Sequence, residues 1–489
     1  MKTYVLPLLA AVVLAGCSVG PDFQKPESAA PPEWQTRDSV LTLDSTALAA
    51  ADTGWWEMFG DTALTSLIRT ALEENNDVRI AAARVEEYMG LYGVVKSDFY
   101  PKIGASGNAL RGQSLLSGDG TSPRATRNIF DVTVSASWEI DLWGKIRRAS
   151  EAARANLLAA EEARRGVVLS IVGLVADSYI DLLSLDKQLV ITRSTAGVRK
   201  QALNLFRQRY KKGDVSELEL SQIESQYWLA LSDIPALERE IAQREGALNV
   251  LLGRNPGPIP RGMAIDSLPL IAIPEGLPSE ILEDRPDVRQ AEEQLRSANA
   301  QIGVAKAAYF PSISLTGLLG VASGDLSSLF TSNAGLWNIG GQILQPIFRG
   351  GEISGRVDAA EGFQKQTLYS YVQTVKNAFR DVEDALVERS KTELQHGAQV
   401  KQVQALRTYG RLANMRYKEG VTSYLEVLDA ERTLFSTELQ LAQTQARLYR
   451  SIVGAYRAFG GGWVDNAAMK AYLPGDPVER RDEPKPADR

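Results

Sequence analysis

The residues able to do covalent or metal chemistry are few and badly placed for it. The chain has one cysteine, Cys17, and one histidine, His396, so one copy can build neither a disulfide framework nor a Cys/His metal cluster. His396 falls between Gln395 and Gly397 in a helical stretch and reads as a solvated or packed imidazole. The acidic run DVEDALVER at 381–389 reads as a helix face, with Asp384 and Glu388 interleaved with Arg380 and Arg389. No nucleophile–base pair or ligand spacing suggests an enzyme. A different chemistry stands at two places that follow a glycine. Ser216-Glu217-Leu218-Glu219 and Ser423-Tyr424-Leu425-Glu426 share S-x-x-E spacing, which predicts a capping box at each helix start. Asp429, three residues past Glu426, is not needed for capping; its counterpart in the first half is Gln222, and Arg432 stands ready to neutralise it.

Cys17 has its own context. Met1 and Lys2 precede an apolar stretch from Val5 to Ala15, and Leu14-Ala15-Gly16-Cys17 closes it with small residues. This resembles the lipobox of bacterial lipoproteins, which implies cleavage after residue 16 and a covalent N-terminal lipid on Cys17. Ser18, a non-acidic residue, goes in such lipoproteins with sorting to the outer membrane. Beyond residue 17 no apolar run of membrane-spanning length is expected, so a bilayer would have to be crossed by strands. The formal charge of −6 and the lack of Lys/Arg-rich runs argue against nucleic acid as a partner.

The elements that hold these residues are long and repeated. Residues 17–60 read as an extended arm, and 61–98 carry helical spacing up to Pro101. Strands are expected at about 102–113 and 128–142. In the second, Phe130, Val132, Val134, Trp138, Ile140 and Leu142 alternate with Asp131, Thr133, Ser135, Ser137, Glu139 and Asp141. Proline-free helix follows to Lys212, then a second helical run to about 252. After a proline-rich linker, 253–286, the sequence restarts: 77–107 aligns with 287–317 at about ten identical positions, and RYKKGDVSELEL at 209–220 with RYKEGVTSYLEV at 416–427. The first repeat therefore covers 61–252 and the second 287–462, with strands expected at about 312–322 and 337–347 and a polar tail over 463–489.

Four strands cannot close a barrel, and open edges cannot sit in lipid, so either the sheet is soluble or other chains complete it. The strand of about 13 residues suits a tilted crossing of ~9–11 residues plus its rims. The helical hairpins 145–252 and 353–459 carry apolar stripes that one thin protomer cannot bury.

The lipobox followed by PDFQKPE, then YFPSISLTG, PIFRGG, RYKEGVTSYLEVLDAERTLF and YRAFGGGW, is similar over essentially the whole mature chain to the TolC-like outer-membrane factors, in particular the OprM-type lipoprotein branch. The resemblance implies a mainly α fold with a transmembrane β-barrel: a homotrimer with four strands per protomer and twelve in all, continued by a coiled-coil tunnel into the periplasm. Phe130, Val132, Val134, Trp138, Ile140 and Leu142 would then face outer-membrane lipid, and the polar row from Asp131 to Asp141 the lumen. It implies a periplasmic gate at Asp429 and Leu425, with Glu426 and Glu219 as lesser members, and a latch at Tyr417, Thr422 and Arg432. Thr422 departs from the Arg that some members carry, so the latch is not complete by resemblance alone. The implied function is the passive outer-membrane duct of a tripartite efflux system, docked to a periplasmic adaptor (membrane fusion) protein and an inner-membrane efflux pump. Type I protein secretion and a lipid-anchored periplasmic coiled-coil scaffold are the alternatives. No Met or His cluster suggests metal cargo.

Overall fold

The computed structural model describes residues 18–27, 43–44, 54–115, 124–274 and 285–460. Cys17 and the 463–489 tail lie outside them. Among the described residues, seven α-helices and four long strands make up the frame: α1 (Thr62–Glu74), α2 (Asn76–Lys96), β1 (Lys102–Leu115), β2 (Arg124–Ile140), α3 (Lys145–Lys212), α4 (Glu217–Leu251), α5 (Pro286–Ala307), β3 (Ser312–Ser323), β4 (Gly335–Leu344), α6 (Glu352–Lys418) and α7 (Tyr424–Ala458). The duplication is visible in element lengths. α3 and α6 have 68 and 67 residues, and α4 and α7 have 35 each. A 68-residue helix spans about 100 Å at ~1.5 Å per residue.

The chain divides into two compact units that cut across the repeats, each drawing on both halves. The first comprises residues 1–27, 85–160 and 290–372, and holds the sheet. Its strands are all antiparallel in the order β1-β2-β3-β4, with Lys102 opposite Ser137, Trp138 opposite Leu315 and Leu319 opposite Trp337. β1 and β4 are its open edges.

The second unit comprises 28–84, 161–289 and 373–489. Its main core joins Trp55, Trp56 and Phe59 to α1, to the 168–183 part of α3 and to α7. The end of the expected extended arm is therefore a buried 3-10 turn, Trp55–Phe59, whose Trp55 stacks on Tyr456 at 5.4 Å between ring centroids. Asp61 caps α1 by accepting from Ala63 and Leu64, and its other oxygen accepts from the Tyr179 hydroxyl at 2.9 Å. The expectation of no apolar run of spanning length needs correcting. α3 contains one long and apolar enough by composition, but two-thirds of it is buried and it supplies Val168, Val172, Val175 and Ile180 to the core. Ser170, Asp177 and Asp181 interrupt the apolar run in sequence and mask its length.

Candidate functional site

Two sites answer to the expectations, one in each unit. The first is the sheet. Because directly paired residues in an antiparallel ladder share a face, the register settles which side chains stand together. One face carries Ile103, Ala105, Gly107 and Ala109 of β1, then Val132, Val134, Ala136 and Trp138 of β2. It continues with Leu315, Gly317, Leu319 and Val321 of β3, and Trp337, Ile339, Gly341 and Ile343 of β4. The opposite face carries Ser106 and Asn108, Asp131, Thr133, Ser135 and Ser137, Ser314 and Thr316, Asn338 and Gln342. Polar contacts cross it: Asn108 Nδ2 donates to Asp131 Oδ1 at 3.0 Å, and the Ser106 and Thr133 hydroxyls lie 3.0 Å apart. The apolar face is the wetter one in a single chain, with Leu319 66%, Trp337 75% and Ile339 81% exposed. A soluble sheet is built the other way round, with its greasy side covered.

The predicted row is cut short at one end. β2 stops at Ile140, so Asp141 and Leu142 lie beyond the strand. Asp141 is instead a helix cap: its carboxylate accepts from the backbone N–H of Ile146 and Arg147 at 3.0 and 2.9 Å at the start of α3. Leu142 is likewise removed from the lipid-facing row. Capping offered Asp141 two orphan amides that a ladder position would not. β2 begins at Arg124, four residues before the expected start, and β4 ends at Leu344 rather than near 347. Ile347 and Phe348 follow it with about 90% of their surface exposed. Trp143, just past the strand, stacks on Phe310 at 4.8 Å and donates its indole N–H to Pro311 O.

The second site is where the hairpins turn. Gly213 and Gly420 end α3 and α6 with φ of 79° and 72°, a left-handed conformation that glycine adopts without strain. After Gly213 the expected capping box is present. Ser216 Oγ accepts from Glu219 N at 3.3 Å, and Glu219 Oε2 accepts from Ser216 N at 2.8 Å. Those hydrogen bonds hold the Glu219 carboxyl below its ordinary pKa.

After Gly420 the same spacing gives a different result. Ser423 makes no side-chain cap; Glu426 instead accepts from Thr422 Oγ1 at 2.5 Å and pairs with Arg416 at 3.3 Å. Thr422 lies one turn before Glu426, and Arg416, ten residues earlier in α6, adds a full positive charge that the Ser423 amide does not offer. Asp429 pairs with Arg432 at 3.0 Å, as the spacing suggested. Leu425 and Leu218, which occupy matching positions, are 61% and 68% exposed.

Tyr417 is held by a residue that sequence reasoning missed. Arg209 of α3 donates to its hydroxyl at 2.6 Å, and its guanidinium lies 5.9 Å from the ring centre. Arg209 and Arg416 align in the repeat, which was the available signal, yet one holds Tyr417 and the other Glu426. Phe206, Tyr417 and Tyr424 pack together beneath these contacts, with Phe206 and Tyr424 4.5 Å apart. Further along α3, the buried Arg199 donates to Gln226 O at 2.8 Å and lies 5.1 Å over Phe435. Burial lowers its pKa and raises that of Glu431 nearby. Burial also lowers that of His396, with Lys187 adding to it. The 381–389 run is an ion-paired face: Asp381 reaches Arg285 at 3.2 Å, and Arg389 reaches Glu393.

The model of the outer membrane efflux protein family matches residues 67–254 and 277–461. The chain is 37% identical over 461 residues to the cation efflux system protein CusC of Escherichia coli O6:H1, covering 94% of this chain and 98% of that protein. It is 38% identical over 467 residues to the solvent efflux pump outer membrane protein SrpC of Pseudomonas putida, covering 95% and 99%. The crystal structure of the open state of the Neisseria gonorrhoeae MtrE outer membrane channel matches with a TM-score of 0.80 at 32% identity, over 91% of this chain and 99% of that one. Three copies of the four-stranded sheet supply the twelve strands that close a barrel. The chain thus belongs to the outer membrane efflux protein family: it is the outer-membrane channel of a tripartite efflux system, trimeric, with a helical tunnel extending into the periplasm.

Proposed function

We propose that the duct conducts passively, makes and breaks no bonds, and is closed at the hairpin turns by Asp429 and Leu425. Three copies of Asp429 around one axis repel one another when ionised and attract cations, while three copies of Leu425 form a dry collar. Thr422, Glu426 and Arg416 hold the second turn, and Arg209 with Tyr417 ties the two hairpins. Glu219 is a helix cap and not a member of the gate, because its carboxylate is already committed to Ser216. A periplasmic adaptor and an inner-membrane pump open the duct by drawing the hairpins apart, which shifts a closed–open population. Cys17 carries an N-terminal lipid that anchors each protomer in the outer membrane; no other cofactor is needed.

The observation that carries the gate is the Arg209–Tyr417 hydrogen bond, which joins α3 of one hairpin to α6 of the other beside the turns. Single-channel recording of Tyr417→Phe tests it: the stacking stays, the hydroxyl goes, and open probability rises. An unchanged open probability in that variant rejects the tie.

A further inference from the structure

Residues 18–25 lie in a seat built by α3, α5 and the residues just before α3, all in the first unit. Val19 N donates to Trp143 O at 3.1 Å. Arg148, only 6% exposed, donates to Val19 O and Gly20 O at 3.4 Å each and to Asp22 Oδ1 at 2.6 Å, keeping one further contact for Glu151 at 2.8 Å. From α5, Asn299 Nδ2 donates to Pro21 O at 2.9 Å, Arg296 lies 4.6 Å over the Phe23 ring, and Glu292 pairs with Lys25 at 3.0 Å. Glycines make the approach possible. A Cβ on Gly20 would fall 2.5 Å from Gly303 Cα, and one on Gly303 would fall 2.8 Å from Val19 O. At Gly144, φ 77°, it would meet Ser18 Oγ at 2.8 Å.

We propose that this seat is an intramolecular binding site for the extended segment Ser-Val-Gly-Pro-Asp-Phe, and that its occupation is a condition for assembling the barrel. The inference rests on the trimeric-barrel reading. α3 leads out of β2 and α5 leads into β3, so one strap clamps both junctions of the paired central strands. The charges give the strap a polarity: its acidic Asp22 meets Arg148, and its basic Lys25 meets Glu292. With the strap gone, Arg148 turns to solvent and keeps Glu151, the Trp143 carbonyl loses the Val19 amide, and α3 and α5 lose the segment that spans them. The segment after the lipid site is then a member of the pore's foundation and not a slack tether.

The test uses the full chain with Cys17 intact, in two variants. Asp22→Arg sets like charge against Arg148 and alters only the strap; Gly303→Leu fills the seat. Acylation is read by incorporation of labelled palmitate, and assembly by the yield of detergent-resistant trimer in outer-membrane fractions. Both variants are expected to be acylated as wild type and to lose trimer by about fivefold or more. Wild-type trimer yield in Asp22→Arg overturns the proposal even if Gly303→Leu fails, since that failure alone is a helix-packing defect. A wild-type chain that yields no trimer would instead overturn the barrel reading beneath it.

Discussion

Arg209 of α3 and Tyr417 of α6 share a hydrogen bond of 2.6 Å across 208 residues of chain, while their repeat partners Arg416 and Tyr210 make no such pair. Duplication supplied two equal turns, and divergence gave them unequal tasks. The first turn is a self-contained helix cap. The second is a network that reaches other helices.

The two turns should respond differently to loss of a carboxylate. Glu219→Gln keeps an acceptor for Ser216 N but removes the charge that strengthens it at the helix start, and is expected to lower stability by roughly 0.3–1 kcal/mol with conductance unchanged. Glu426→Gln removes the charge that pairs with Arg416 and weakens the bond from Thr422, and is expected to raise open probability with little change in melting temperature. Thermal unfolding and bilayer recording on the same preparations separate the effects.

The Glu219 cap also sets a pH dependence. Its folded pKa is lowered, so its contribution is fully present above the unfolded value of ~4.3 and is lost as pH falls through the folded value. Melting curves of wild type and Glu219→Gln should therefore converge on acidification below about pH 4.

Asp177 has the opposite sign. Burial raises its pKa to about 6, against the attraction of Arg450 and Arg457. A carboxyl raised in the folded state costs stability when ionised, and that cost vanishes as pH falls through about 6 toward its unfolded value. Asp177→Asn is expected to stabilise the chain at pH 7.5 by on the order of 1–3 kcal/mol and to be near neutral at about pH 3.5, below the unfolded value of ~3.9. Denaturant titration at the two pH values checks this.

The sheet's two faces should tolerate charge unequally. Val134→Lys places an ammonium on the apolar face and is expected to cost about 2–4 kcal/mol if it lies near the bilayer midplane. Ser135→Lys, one residue on, points to the polar face and should fold and insert as wild type. Urea titration in bilayers, with insertion scored by heat-modifiable migration, reads both.

Much of this was legible before any coordinates. The strand faces follow from period-two alternation, and the restart at 287 follows from residue identity; both are local signals that tertiary contacts do not override. The aligned YPK and FPS segments place β1 and β3 starts 210 residues apart, at Lys102 and Ser312. What sequence could not give was the choice among competing partners. Asp141 fits the strand alternation but is taken by the α3 amides, and Ser423 fits a capping box but loses Glu426 to Thr422 and Arg416. The repeat marks Arg209 by its alignment with Arg416 but not its role: its partner Tyr417 is distant in sequence, and only packing of α3 against α6 brings them within reach.

The most direct measurement is planar-bilayer conductance of the purified trimer, comparing wild type with Asp429→Ala and Leu425→Ala. Low basal conductance that rises in at least one of the two is the predicted result. Silence in all three, from protein shown to be trimeric and inserted, would contradict the account.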